Sequence, residues 1–200
     1  MNPRKAASVA ALLSLGAVLF APNAVADTGK GQVRHCVVQA VPLGVDGDPA
    51  DGPQVLNDAP VCFDSVGAGV AYATGGVASA ESAAGVDSPE ELAALMKSAE
   101  GKSAAFQDVV IGIFYDSNNF GGGTIYTALA ASGCTTSLSW GVNYVGDSIN
   151  DDIASGRSYS SCHHKVFENA GYGGAGAGYY TSAGSYGLVD EEVSSIHFKW

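Results

Sequence analysis

A short aromatic–glycine pattern occurs twice in the second half of the chain, as YDSNNFGG at 115–122 and as FENAGYGG at 167–174. Each copy has an aromatic residue, four further residues, a second aromatic residue and two glycines. Two rings at this spacing can stack only if the chain between them bends sharply back. Glycine beside the second ring permits the positive φ or the close backbone approach that such a bend requires. The repeat therefore predicts two β-hairpins, each folded over onto its own sheet.

Each copy is followed by an acidic–apolar–serine segment, INDDIAS at 149–155 and VDEEVSS at 189–195. A hydroxyl at the start of the last strand of a motif can bond the exposed N–H and C=O groups of the folded hairpin. The predicted structural residues are Tyr115, Phe120, Gly122 and Ser155 in the first copy and Phe167, Tyr172, Gly174 and Ser195 in the second.

From Val109 onward the chain consists of short runs rich in Val, Ile, Tyr and Thr, separated by Gly, Asn, Asp and Ser. The eight runs are VVIGIFYD, GTIYTA, SWGVNYVG, GRSYSS, HKVFEN, AGYYTS, YGLV and SSIHFKW. Short strands with turn residues between them are typical of an all-β sandwich.

These features resemble the βγ-crystallin Greek key. Its signature is an aromatic, four residues, an aromatic, any residue and glycine, followed later by two acidic or amide residues, two others and two hydroxyls. The resemblance covers 109–200 and implies a mainly β fold, a βγ-crystallin-like double Greek-key sandwich whose two motifs are related by a pseudo-twofold axis. Secreted bacterial members of the family include Ca²⁺ binders, small metalloproteinase inhibitors and killer-toxin-like proteins, and this chain resembles that group.

The first 26 residues have the features of a secretory signal peptide. Arg4 and Lys5 precede an apolar run from Ala6 to about Ala21, and the stretch closes on the small-x-small pattern at 24–26. The alternative, a membrane anchor, is less favoured because the apolar run is short for a span and a Pro-Asn pair interrupts it. We therefore expect a secreted protein with no membrane span in the mature chain.

Between the signal peptide and the repeats we expect a small mixed α/β segment, 27–105, followed by the βγ-crystallin-like domain at 106–200. A strand starting at His35 is predicted to end at Pro42, and a loop rich in Gly, Pro and Asp follows at 44–54.

One or two short helices are predicted next. The first is capped by Asp64 or Ser65 and stopped by Gly75-Gly76. The second has Ser88 as N-cap and Glu91 completing a capping box, and it is predicted to end at Gly101. Its apolar stripe consists of Leu92, Leu95 and Met96, which we expect to pack on the body of the protein.

Four cysteines occur, Cys36, Cys62, Cys134 and Cys162, and an even number in an exported chain predicts two disulfides. Three connectivities are possible. We favour Cys36–Cys62 and Cys134–Cys162, because each pair closes a short loop within one composition block. A metal site is the weaker alternative, since the chain has no CxxC and no histidine at ligand spacing from a cysteine.

The chain is acidic, with a net charge of −11. Removal of 1–26 takes away two cations and no acid, so the mature chain carries about −13. An acidic chain repels phosphate backbones and anionic membrane surfaces, so nucleic acid is disfavoured as a partner. A cationic partner, either Ca²⁺ or a basic protein surface, remains open.

Calcium is the one cofactor that the resemblance implies. Carried over by position, the candidate ligands are Asp116, Asn150, Asp151, Asp152, Glu168, Asp190, Glu191 and Ser194. Each loop departs once from the family pattern: Ala154 stands where a hydroxyl is usual, and Glu191 where Asp or Asn is usual. We therefore expect at most one weak site, and a purely structural role of these loops stays open.

Catalysis is not expected. The chain has no GxSxG, no HExxH and no free cysteine–histidine pair once the cysteines are oxidised. His163 and His164 are adjacent and point to opposite faces of a strand, while His35 and His197 are isolated. For all four we expect exposed or packed histidines.

The expected function is therefore non-catalytic. Binding of a secreted protease by a peptidase-inhibitor-like monomer comes first, with ASGCTTSLSW at 131–140 as the candidate loop, and an ordinary tethered connection is the alternative for that loop. A calcium-binding structural or envelope-associated module comes second, and a killer-toxin-like protein third.

Overall fold

A computed structural model describes residues 34–43, 55–83, 86, 88–99 and 108–200. The predicted signal peptide and the predicted loop at 44–54 lie outside the described residues. None of the helices in the described part of the chain has both the length and the apolar character needed to cross a bilayer.

Two β-sheets form the body of the described structure. Their strands are β1 (Arg34–Gln39), β2 (Val41–Pro42), β3 (Val61–Phe63), β4 (Val109–Ser117), β5 (Gly121–Ala130), β6 (Trp140–Val142), β7 (Ser155–Ser158), β8 (His163–Asn169), β9 (Gly173–Tyr180), β10 (Ser182–Ala183) and β11 (Ser195–Lys199). One sheet has the order β10-β7-β4-β5-β1-β3, and the other has the order β2-β6-β11-β8-β9.

The strand order shows that the two motifs exchange their third strands. The first motif comprises β4 to β7, but β6 pairs with β11 in the sheet of the second motif. The second motif comprises β8 to β11, but β10 pairs with β7 in the sheet of the first. This exchange makes a double Greek key, and the predicted mainly β, βγ-crystallin-like architecture is confirmed.

One predicted strand is wrong. The run YGLV at 186–189 does not form a strand, because Gly187–Val189 is a 3₁₀ turn. Gly187 has a φ of +66° there, which turns the chain. The strand of this region is β10, which begins four residues earlier. The carboxylate of Asp190 accepts a hydrogen bond from the backbone N–H of Tyr186 and closes the turn.

The N-terminal segment is part of both sheets. Strand β1 pairs in parallel with β5, from Arg34 opposite Thr124 to Gln39 opposite Leu129. Strand β3 pairs antiparallel with β1, and β2 pairs antiparallel with β6. The strand predicted to end at Pro42 is present, with a break at Ala40 that passes the chain from one sheet to the other.

Both favoured disulfides are confirmed. Cys36 and Cys62 are direct partners in the β1–β3 ladder, and their S–S distance is 2.01 Å. Cys134 and Cys162 are joined with an S–S distance of 1.99 Å. No cysteine among the described residues is free.

Helices α1 (Val66–Ala73), α2 (Ala80–Ala83) and α3 (Pro89–Ala99) follow β3. Of the two proposed caps for α1, Ser65 is the one used, since its Oγ accepts from Ala68 N at 3.2 Å. The N-cap of α3 is Ser88, whose Oγ accepts from Glu91 N at 3.2 Å. Helix α2 was not expected, and the predicted end of α3 at Gly101 lies outside the described residues.

Apolar side chains form two cores. The first lies between the two sheets and includes Phe114, Tyr126 and Phe198. The second lies between the helices and the outer face of the first motif's sheet, where Leu92 and Met96 of α3 are each 1% exposed. The apolar stripe of α3 therefore packs on the body of the protein, as predicted, and covers a sheet face that would otherwise meet water.

Candidate functional site

The folded hairpins of the two motifs have nearly the same geometry. The rings of Tyr115 and Phe120 meet edge to face at 6.0 Å and 77°, and those of Phe167 and Tyr172 at 5.8 Å and 73°. Phe120 and Tyr172 both have a positive φ, 65° and 63° respectively. The sharp bend thus falls on the second aromatic residue itself as well as on the glycines around it.

A serine hydroxyl closes each hairpin. Ser155 Oγ accepts from Phe120 N at 3.0 Å and donates to the carbonyl oxygen of Ser117 at 2.6 Å. Ser195 Oγ accepts from Tyr172 N at 3.0 Å and donates to the carbonyl oxygen of Asn169 at 2.7 Å. Each hydroxyl therefore satisfies one backbone donor and one backbone acceptor within the bend.

The acidic residue after the first aromatic of each motif holds its own hairpin. Asp116 Oδ2 accepts from Thr124 N at 3.0 Å, and Glu168 Oε2 accepts from Ala175 N at 3.0 Å. Each carboxylate lies over the second glycine of the motif, so a Cβ at Gly122 would overlap Asp116 Oδ1. Two of the candidate calcium ligands are thereby engaged in backbone contacts of the hairpins.

The two acidic–serine loops lie side by side and bind each other. Asp151 N donates to the carbonyl oxygen of Val193 at 3.3 Å, and Glu191 N donates to that of Ile153 at 3.1 Å. Asp151 and Glu191 occupy equivalent left-handed positions, with φ of 62° and 59°. This reciprocal pairing is the pseudo-twofold relation that the repeat predicts.

Several candidate calcium ligands in these loops are engaged with their own loop. Both carboxylate oxygens of Asp190 accept hydrogen bonds within its turn, from Tyr186 N and from Ser185 Oγ. Asp151 Oδ2 accepts from Asn150 Nδ2 at 2.7 Å. Among the described residues there is no group of three or more His, Cys, Asp or Glu side chains that could hold a metal ion. Ca²⁺ takes six to eight oxygens, so a site here would depend on backbone carbonyls and water as well as on side chains.

The candidate inhibitor loop is a tight turn held at its base. Thr135 and Leu138 exchange backbone hydrogen bonds of 3.1 and 3.3 Å, and Thr136 at the tip is exposed. At the base, Cys134 is joined to Cys162, and Cys134 N donates to the carbonyl oxygen of Ser160 at 3.1 Å.

Ser160 is a tethering residue that the sequence argument missed. Its Oγ donates to the carbonyl oxygen of Val110 at 2.8 Å, which joins the base of the turn to β4. The positive φ of Ser160 and Ser161, 52° and 62°, creates this contact. A pair of serines just before a disulfide cysteine was the available signal, because serine favours such turns.

Three of the four histidines are buried in the structure. His35 is 0% exposed and its Nε2 lies 2.8 Å from Thr127 Oγ1. His164 is also 0% exposed, with ring nitrogens 2.7 Å from Ser158 Oγ and 2.8 Å from Tyr186 Oη. Burial lowers the pKa of His35 to about 4 and that of His164 to about 3, so both rings are neutral at pH 7.

These histidines pack in the way that the sequence predicts. Tyr179 Oη lies 2.8 Å from Nδ1 of the third buried histidine, His197. Packed, hydrogen-bonded rings of this kind satisfy their own polar atoms and stabilise the fold.

The solved structures that this chain resembles are βγ-crystallin domains. No protein-family model matches the chain, and no curated protein matches it. A βγ-crystallin from an archaeon is 26% identical, with 44% of this chain and 94% of that chain covered and a TM-score of 0.32. A βγ-crystallin domain from Clostridium beijerinckii is 19% identical, with 44% and 97% covered and a TM-score of 0.33. A βγ-crystallin from Ciona intestinalis is 24% identical, with 42% and 94% covered and a TM-score of 0.30.

Proposed function

We propose that this chain, which carries a βγ-crystallin-like double Greek key, is a secreted, non-catalytic binding protein that inhibits a peptidase through the turn at 134–138. Two disulfides support export, because such bonds persist in oxidising compartments and are rare in the cytosol. The turn at 134–138, from Cys134 to Leu138, is called the tethered turn below.

The observation that carries the proposal is the preorganisation of the tethered turn. Its tip is exposed, its ends exchange two backbone hydrogen bonds, and its base is fixed by a disulfide and by the Ser160 contacts. Ordering a flexible loop on binding costs free energy, and a loop that is already ordered avoids that cost.

The shape of the turn indicates how it would contact a protease. Because Thr135 and Leu138 pair with each other, the segment is closed and does not present an extended, substrate-like strand. Contact would therefore be made by the side chains of the tip, Thr136 and Ser137, which are both exposed. Inhibition by this route blocks access to the active site and does not require cleavage of the turn.

A titration tests the proposal. The full chain, as an expression host secretes it, is added to a thermolysin-like metalloprotease and, in parallel, to a subtilisin-like serine protease. We expect residual activity of the metalloprotease to fall linearly and to reach its minimum at one equivalent. Thr136→Arg places a long cation at the tip and is expected to weaken inhibition at least tenfold. The matched control is Thr181→Arg, which makes the same change at an exposed position outside the tethered turn.

Three results would contradict the proposal. The first is full protease activity at a tenfold molar excess of the chain. The second is equal loss of inhibition in the Thr136→Arg and Thr181→Arg variants, which would show that the tip is not the contact. The third is turnover of the chain as an ordinary substrate, which gives a transient rather than a stoichiometric loss of activity.

A calcium-binding structural or envelope-associated role is the second function that the resemblance implies. If Ca²⁺ binds the native state, millimolar Ca²⁺ raises the melting temperature by mass action. The appropriate variant is Glu191→Gln, which should reduce that gain, and the matched control is Glu81→Gln at an exposed position of α2. Asp190→Ala is unsuitable, because it removes the hydrogen bonds that close the turn at Ser185 and Tyr186 with or without metal.

An unchanged melting temperature in Ca²⁺ would remove the calcium role. A killer-toxin-like role stays a prediction, and growth arrest of a competing microbe by the pure protein would test it.

A further inference from the structure

Strand β9 is the last strand of its sheet among the described residues, so no neighbouring strand pairs with its outer edge there. It is eight residues long, whereas the other strands that end a sheet, β2, β3 and β10, have two or three residues each. Gly174, Ala175, Gly176 and Gly178 are exposed. Within the described part of the chain, β9 therefore presents the longest strand edge to which another strand could be added.

The equivalent edge of the first motif is occupied by a strand. Strands β5 and β9 are equivalent, because Thr124 N and Ala175 N each donate to the carboxylate of their own hairpin. Strand β1 pairs with β5 over six residues, from Thr124 to Leu129. Counted from Ala175, the same length of β9 is 175–180. The chain itself therefore shows that this edge of the motif accepts a further strand.

Irregular pairing inside the hairpin does not close this edge. The β8–β9 register shifts on both sides of the segment in which 165–167 pairs with 176–178. The β4–β5 register also shifts at two places, and β1 still pairs with β5 without a break. Residues 173–180 contain no proline and no charged side chain, which are features that commonly protect an exposed edge from added strands.

We propose that β9 pairs with β9 of a second copy of this chain, antiparallel about a twofold axis perpendicular to the sheet, so that two five-stranded sheets become one continuous sheet. Such an axis brings the same edge of both copies together, and the strands that it relates run in opposite directions. The sequence led us to expect a monomer, and the position of β9 at a sheet edge is the structural reason for a different expectation. The interface contains no residue of the tethered turn, so the inference does not depend on the inhibitor function.

Charges beside β9 favour a second copy as the occupant. At one end the carboxylate of Glu168 lies against Ala175, with Oε2 3.0 Å from the backbone nitrogen. At the other end two cations lie over the ring of Tyr179, with Lys199 Nζ 4.0 Å and Lys165 Nζ 5.9 Å from its centroid. In an antiparallel self-pair the anionic end of each strand lies beside the cationic end of the other, so opposite charges meet twice.

The side chains along β9 leave room for a second backbone. Positions 173–178 hold only glycine and alanine. Tyr180 is 38% exposed, and its ring stacks on that of Tyr186 with the centroids 6.4 Å apart. Pairing covers the exposed part of this ring with the small residues of the partner strand. One strand pair is a small interface, so we expect a dissociation constant in the micromolar range.

Sedimentation velocity of the full secreted chain, from about 1 µM to about 200 µM, tests the proposal. We expect the mass to rise from that of one chain to that of two and then to stay constant. Hydrogen exchange measured at both ends of this range locates the interface. Amides within 175–180 are expected to gain protection at the higher concentration, whereas amides of β5, which β1 already covers, are expected to stay unchanged.

Charge variants test whether the occupant is a second copy. Lys199→Glu turns attraction into repulsion at both charged contacts and is expected to raise the dissociation constant about fivefold. The matched control is Lys97→Glu, which makes the same charge change at an exposed position of α3 and is expected to leave the dissociation constant unchanged. Adding Glu168→Gln to Lys199→Glu removes the repelling carboxylate and keeps an acceptor for Ala175 N, so part of the loss is expected to be recovered.

The proposal is overturned if the chain sediments as a single copy at every concentration. It is also overturned if a dimer forms without added protection of amides within 175–180, or if Lys97→Glu weakens the dimer as much as Lys199→Glu does. Growth beyond two copies overturns it as well, because a twofold self-pair closes at two. Protease titration reports on the tethered turn and sedimentation on β9, so failure of one proposal is distinguishable from failure of the other.

Discussion

Replacement of Ser195 by alanine tests the physical basis of the repeated motif most directly. Ser195 is 0% exposed, and its Oγ joins Tyr172 N and the carbonyl oxygen of Asn169 across the folded hairpin. Alanine removes one oxygen atom and leaves the rest of the side chain in place. The change therefore isolates the two hydrogen bonds.

The expected loss can be worked out from the surroundings of each partner. Tyr172 is 2% exposed, so its N–H would be left buried without an acceptor, at a cost of about 1–3 kcal/mol. Asn169 is exposed, so water can replace the lost donor and the second bond adds only about 0.5–1 kcal/mol. We therefore expect Ser195→Ala to lower the free energy of unfolding by about 1.5–4 kcal/mol.

Urea denaturation and thermal melting measure this loss. For a chain of this size, about 2–4 °C of melting temperature corresponds to 1 kcal/mol, so a decrease of about 3–16 °C is expected. The slope of the urea transition should stay constant, because the same surface is exposed on unfolding.

Ser194→Ala is the matched control for this experiment. Ser194 is 7% exposed, and its Oγ makes no hydrogen bond with any described residue, so the same atom is deleted one position away without breaking the hairpin closure. A loss below about 1 kcal/mol is expected for the control. Equal losses in Ser195→Ala and Ser194→Ala would refute the reasoning, because burial of a serine, and not closure of the hairpin, would then account for the effect.

Three further predictions concern other parts of the structure. Gly122→Ala should lower the free energy of unfolding, measured by urea denaturation, by about 1–3 kcal/mol, because Gly122 has a φ of +104° and a Cβ there overlaps Asp116. The control, Gly123→Ala, should leave stability unchanged or raise it slightly. Alanine at both Cys134 and Cys162 should lower the free energy of unfolding by about 3–4 kcal/mol, as expected for a 28-residue separation, and an unchanged urea midpoint would contradict this. The folded-state pKa of His35 is lowered to about 4, so between its ordinary value of 6.5 and pH 4 the unfolded chain binds a proton that the folded chain does not. The contribution of His35 to the free energy of unfolding is fully present above about pH 6.5 and decreases by about 1.4 kcal/mol per pH unit below that value. Urea denaturation measured from about pH 7 to 5 should therefore show a free energy of unfolding that depends less steeply on pH in His35→Gln.

The double Greek key and its hairpin closures could be predicted because their determinants are local and repeated. The spacing of Tyr115 and Phe120, with its second copy at Phe167 and Tyr172, specifies a bend, and the later serine specifies what satisfies the bent backbone. Two copies of one pattern also indicate how the motifs relate, since equal motifs pack most simply about a twofold axis.

Other features could not be predicted from local patterns. The 3₁₀ turn at 187–189 replaced a predicted strand because the Asp190 carboxylate competes for the backbone of the turn. The loops at 149–155 and 189–195 have the composition of a calcium site. In the structure, however, the carboxylates of Asp151 and Asp190 are oriented so that they accept hydrogen bonds from their own loops. Spacing alone carries no information on that orientation.

By itself the sequence determined the number of hairpins and the residues that close them, because these depend on a repeated spacing, and it narrowed the disulfide pairing and the cap of α1 to a few alternatives. The structure then selected Cys36–Cys62, Cys134–Cys162 and Ser65. Only the tertiary structure decided that β1 joins β5 in parallel, that His35 is buried beneath α1, and that Tyr115 faces a cleft under α3. These contacts join segments that are about 90 residues apart in the case of β1 and β5. The free energy that selects such pairings comes from burying apolar surface between distant segments, and it is set by the whole packed chain rather than by any short stretch of it.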